Sequence, residues 1–85
     1  MSDRTDDDRI AAVLADLALR RGRGKSFCPS EAARVLADDW RSLMPRVRRV
    51  AGEMQRRGDL QATRGGVAVD PEETGGPIRL GLSEP

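Results

Sequence analysis

The stretch from Leu43 to Val69 leaves this chain few folds to choose from. Leu43, Val47, Val50, Ala51 and Met54 recur at steps of four, three, one and three residues, the spacing that lines one side of an α-helix. Gly58-Asp59 then breaks the helix. Two short runs follow, Leu60–Thr63 and Val67–Val69, separated by Arg64-Gly65-Gly66. Glycines between short β-prone runs predict a tight antiparallel hairpin, because such turns require the positive φ that glycine adopts without strain. A one-sided helix feeding a small hairpin must bury both apolar faces, and the upstream residues have to supply the cover.

Those residues read as two more helices. Ile10, Val13, Leu14 and Leu17 form a stripe on a first helix expected from Thr5 or Asp6 to Arg21. Thr5 is its expected N-cap, with Asp6, Asp7 and Asp8 at the positive end of the helix. Arg20, Arg21 and Gly22 close it. Ser26-Phe27 is either a short edge strand or the lead into a second helix. Pro29 suits the first helical position, with Cys28 as formal cap and Glu31 as half of a capping box. Ala32, Ala33, Val35 and Leu36 are the expected buried side, and the helix should end near Asp38 or Asp39. Trp40-Arg41-Ser42 then forms the turn, with Trp40 as an anchor between helices, Ser42 as cap of the third helix and Pro45 in its first turn. Pro77–Leu80 is a third strand or an ordered tail. This order predicts an α+β, mainly α fold: a winged helix-turn-helix of three helices plus a small antiparallel β-hairpin wing. Residues 6–82 should form one domain, with a disordered N-terminus over 1–5 and a frayed C-terminus over 83–85.

Composition narrows function by exclusion. With no histidine and one cysteine, the chain lacks the ligand set of ordinary structural zinc and the base that a Ser or Cys nucleophile needs. No glycine-rich phosphate loop is present. We therefore expect no catalytic residues, no metal and no cofactor: a binding module rather than an enzyme. No run approaches the roughly 18 apolar residues of a membrane span. Met1–Asp8 is acidic and polar, unlike a secretory leader, and a lone cysteine cannot close an internal disulfide, so the expected compartment is cytoplasmic. Cys28, at a helix N-terminus, has a position from which a redox-responsive thiol can act; packing beneath the helix is the simpler role.

The formal net charge of +1 hides an uneven layout. Residues 20–25 hold Arg20, Arg21, Arg23 and Lys25 without an acid, and residues 41–64 hold seven arginines against Glu53 and Asp59. Acidic segments bracket both. A wheel of about 100° per residue turns Pro45, Arg49, Gly52 and Arg56 away from the apolar stripe, with Arg48 and Gln55 on one flank and Arg46, Glu53 and Arg57 on the other. Long cationic and amide side chains opposite the core are what a recognition helix over 43–57 needs in a DNA major groove. We therefore take Arg48, Arg49, Gln55 and Arg56 as the candidate groove residues and Arg64, beside the glycine turn, as the wing contact to phosphate or minor groove. Gly52 is rationalised as allowing close backbone approach to the partner. Arg20, Arg21, Arg23 and Lys25 either add backbone contacts or complete the helix dipole.

The blocks Cys28–Arg34, Trp40-Arg41, Leu43-Met44, Val47-Arg48, Gly58, Val69–Pro71 and Gly76–Arg79 carry a resemblance as well. On them the chain resembles a family of small bacterial winged-helix proteins catalogued only as a domain of unknown function, over roughly residues 10–80. The resemblance implies the fold and no reaction, ligand or partner. It also draws attention to Arg34 and Arg79 as internal ion-pair candidates, for instance with Asp70. The expected partner is double-stranded DNA, bound by a monomer or homodimer acting as a regulator. A protein-interaction module and a Cys28-based redox sensor are the alternatives.

Overall fold

The computed structural model describes residues 6–73 and 76–83; the expectations placed on residues 1–5 and on Glu84 and Pro85 lie outside them. The elements run α1 (Asp7–Arg21), α2 (Pro29–Leu36), α3 (Trp40–Arg56), β1 (Gln61–Arg64), β2 (Val67–Ala68) and β3 (Arg79–Gly81). This is the expected mainly helical α+β architecture, three helices against a small antiparallel sheet in a winged-helix-like arrangement.

Asp6 caps α1, its Oδ1 accepting the Arg9 backbone N–H at 2.9 Å, where Thr5 was expected. An ionised Asp is as good an acceptor as Thr at this end and adds favourable charge. Ile10, Leu14 and Ala18 are fully buried, and Val13 and Leu17 pack at the edge of the core. At the start of α2, Glu31 Oε2 accepts the Cys28 N–H at 3.0 Å, as the capping-box reading required. The helix stops at Leu36, earlier than expected, and buries Pro29, Ala32, Ala33 and Leu36. Those four positions define its inner face. Val35 falls off that face and is 62% exposed, which corrects its assignment to the core.

α3 begins earlier than expected. Trp40 and Arg41 belong to the helix and Asp39 takes the cap position, with Ser42 Oγ donating to Asp39 Oδ2 at 2.7 Å. Ser42 therefore braces the capping residue instead of capping, and Pro45 sits in the second turn. The carbonyl that Pro45 leaves without an intrahelical donor is that of Arg41, an exposed residue where solvent can supply the bond. The stripe of Leu43, Val47, Val50, Ala51 and Met54 is buried as read.

β1 is the central strand, with β2 and β3 antiparallel on its two sides. The pair Arg64↔Val67 leaves Gly65-Gly66 as a two-residue turn with φ of 58° and 84°, the signature of a primed hairpin turn. Phe27 joins the far edge, exchanging both backbone hydrogen bonds with Leu80 at 2.9 and 2.8 Å. Phe27, Leu60, Ala62, Ile78 and Leu80 thus bring the sheet side into one core with α1 and α3. From the connection between β2 and β3, Pro71, Glu72 and Gly76 lie against one flank of α3. No helix among the described residues is long and apolar enough to cross a membrane.

Candidate nucleic-acid interface

The sequence puts seven cations between residues 41 and 64, and the fold gives most of them internal partners. On one flank of α3, Arg49 Nη2 donates to both carboxylate oxygens of Asp7 at 2.9 Å, and its Nη1 reaches Glu53 Oε2 at 3.3 Å. Arg46 adds a second bond to Asp7 Oδ1 at 3.3 Å. The first turn of α1 is thereby fastened to the middle of α3. Hydrogen bonds from Arg49, reinforced by Arg46 and opposed by partial burial, hold the Asp7 carboxyl below the ordinary carboxylate range, and Asp7 in turn raises Arg49. At 39% side-chain exposure, Arg49 lies along the surface, its fork turned to its own molecule.

On the other flank lies the segment that links β2 to β3. Arg48 donates to the carbonyls of Pro71 at 3.2 Å and Gly76 at 2.8 Å. Gln55 Nε2 donates to the Val69 carbonyl at 2.9 Å, while its Oε1 accepts the Ala62 N–H. Arg56, 59% exposed, stands 3.8 Å from Glu72 Oε2. Gly52 is buried, and a Cβ there would meet Glu72 Oε2 at 3.2 Å. The close approach that this glycine permits is by the chain's own loop, which corrects its placement at the centre of an open face. Arg48 and Gln55 act as braces for that loop.

The hairpin side differs in character. Among the described residues, Arg64 Nε donates to a carbonyl alone, that of Pro77, at 3.4 Å. Thr63 pairs with Arg79 and Gln61 with Gly81, so these four residues share the sheet face opposite buried Ala62 and Leu80. Arg79 is held by Ser26, its Nε donating to Oγ and its Nη2 to the carbonyl, both at 3.0 Å. The structure therefore brings Arg48, Arg49, Gln55 and Arg56 together along α3, and sets Arg64 apart from them at the sheet. These placements sit within a chain whose residues 7–83 match the family described as proteins of unknown function, DUF3253. The chain belongs to the DUF3253 family. No curated protein matches it.

Other sequence candidates in this DUF3253 chain have structural partners. Arg34 stacks on Trp40, its guanidinium carbon 4.6 Å from the ring centroid, and Arg41 lies 4.5 Å from the same ring; the half-buried indole thus ties α2 to α3. Asp70 accepts the Glu72 backbone N–H, and among the described residues neither Arg34 nor Arg79 makes the ion pair suggested for it. Arg20 pairs with Asp16, and Arg21 with Glu31 and the Ser26 carbonyl. The Cys28 backbone N–H, with Arg21 adding to it against partial burial, keeps the Glu31 carboxyl below its ordinary range. Half-buried Cys28 accepts a hydrogen bond from Ser30 Oγ at 3.1 Å. Sequence reasoning missed Asp7 and Glu72 as the counter-charges of α3. Asp7 was visible only as an acid at a helix start, and nothing local announced its partner.

Proposed function

We propose that this chain is a winged-helix domain that binds double-stranded DNA, in the manner of a transcriptional regulator. The observation that carries the reading is the outer side of α3. Arg46, Arg48, Arg49, Arg56 and Arg57 lie along the second helix of a helix-turn-helix pair, and Arg64 stands beside the adjoining turn. Positive side chains on that helix are the chemistry of groove recognition. The carboxylates that hold Arg49 and Arg56 are themselves half-exposed. Exposed ion pairs are weak because solvent screens them, so backbone phosphates can take over both guanidinium groups at small cost. Arg48 and Gln55 keep their loop contacts in this reading and position the helix, leaving Arg49, Arg56 and Arg64 as the contacting residues.

A second reading, a protein-interaction module, draws on the same geometry. Asp7, Glu53 and Glu72 balance much of the charge along α3, which weakens long-range attraction to a polyanion. Titration of a fluorescent random-sequence duplex at low and moderate salt separates the two. The DNA reading expects binding that weakens steeply with salt. It also expects the Asp7→Asn/Glu72→Gln variant to bind about threefold to tenfold more tightly, since both substitutions remove a competitor of phosphate. A folded protein that ignores duplex at low salt gives the function to a protein partner.

A further inference from the structure

We infer that the outer face of the sheet, away from α3, is a second phosphate-binding surface that grips the backbone of a bound duplex. This deepens the DNA reading and rests on it. A groove of about 400 Å³ lies over that face, lined among others by Lys25, Ser26, Thr63, Gly65, Gly66 and Arg79. Its described lining contains two cations and no carboxylate, in a chain with 14 acidic residues. That contrasts with α3, where Arg46, Arg49 and Arg56 each face an acid.

The geometry suits an oxyanion. Ser26 occupies Nε and Nη2 of Arg79 through neutral oxygens, which fixes the guanidinium without cancelling its charge. Glu31 senses the Arg79 charge but takes Arg21 as its ion-pair partner. The Lys25 ammonium makes no hydrogen bond or ion pair among the described residues, so it is available to a ligand. Across the strands, Thr63 is the register partner of Arg79 and lines the same groove with its hydroxyl-bearing side chain. Gly65 and Gly66 keep the rim free of side chains. Gly81 lets the Lys25 backbone lie close against β3, since a Cβ there would fall 2.7 Å from the Lys25 carbonyl oxygen. An open, one-signed trough with a fixed fork, an exposed ammonium and a hydroxyl matches a phosphodiester run better than a small enclosed ligand.

The test compares two charge-removal variants on one labelled duplex across a salt series, with thermal melting of each protein recorded alongside. Lys25→Ala/Arg79→Ala removes the sheet-face cations, and Arg49→Ala/Arg56→Ala removes those of α3. Lys25→Glu alone serves as a check, because that side chain braces nothing among the described residues. We expect the sheet-face double variant to lose about tenfold in affinity and about 1.8 units of the log–log salt slope, the share of two phosphate contacts. Lys25→Glu should weaken binding relative to the natural chain, with an unchanged melting temperature. If wild type binds and the Lys25 and Arg79 variants match it while the α3 variant does not, the sheet-face surface is overturned and the DNA reading stands. If folded wild type ignores duplex at low salt, both fall together.

Discussion

A methyl group built on Gly52 would stand 3.2 Å from Glu72 Oε2 and 3.6 Å from Arg56 Nη1. Both atoms are the far ends of flexible side chains, so either can move aside by a few tenths of an ångström. Alanine is also favoured over glycine inside a helix by about 1 kcal/mol. We therefore expect Gly52→Ala to stabilise the fold by about 0.5–1 kcal/mol, a rise in melting temperature of roughly 2–8 °C for a domain of this size. A fall would mean that the loop is seated more rigidly on α3 than these contacts require. At this scale the sequence disclosed chemistry but not partners. The arginines of α3 and their helical face were legible from spacing. Asp7 and Arg49 lie 42 residues apart, and no local pattern links them. Gly52 was recognisable as an anomaly, yet its occupant, Glu72, comes from a loop that carries no periodicity.

Between elements, Gln55 is the link to break. Its amide joins the last turns of α3 to Val69 through one hydrogen bond and to Ala62 in β1 through another. Truncating it strands the Ala62 N–H and the Val69 carbonyl beside the core, at a cost of about 1–3 kcal/mol. Gln55→Ala should therefore lower the denaturant midpoint and raise hydrogen exchange at Ala62 more than at Val47, deep in the middle of α3. Equal changes at both amides would show that the strands do not depend on this clamp. Elements were legible to the degree that their residues signal alone. The α3 stripe and the Gly65-Gly66 turn were read correctly because periodicity and turn chemistry are local. The α3 start was misplaced because Asp39 and Ser42 are both capping residue types, and here they interlock. β3 is only three residues long, too short for alternation to show, so strand and tail could not be separated. Its pairing with both β1 and Phe27 makes β1 central, which the hairpin reading alone did not require.

For the molecule as a whole, two carboxylates fasten α1 at both ends. Asp7 ties its first turn to α3 through Arg49 and Arg46, and Glu31 ties its last turn to α2 through Arg21. Arg49 depresses the first, and the Cys28 backbone N–H together with Arg21 depresses the second. A carboxyl depressed in the folded state contributes stability that is complete above its unfolded pKa. That contribution is lost as pH falls through the lower, folded value. The window therefore opens near the ordinary carboxylate range of about 4 and extends below it. No part of it lies between pH 6 and 8, and without histidine the chain has no side chain whose ordinary titration falls there. Stability measured by urea unfolding should accordingly be flat from pH 8 to 6 and decline steeply below pH 4. Asp7→Asn and Glu31→Gln each remove one depressed group, so each variant should be less stable at pH 7 and show a shallower decline, and the double variant the shallowest. An acid decline as steep in the double variant as in the natural chain would place the loss in other carboxylates and leave α1 held by its apolar face.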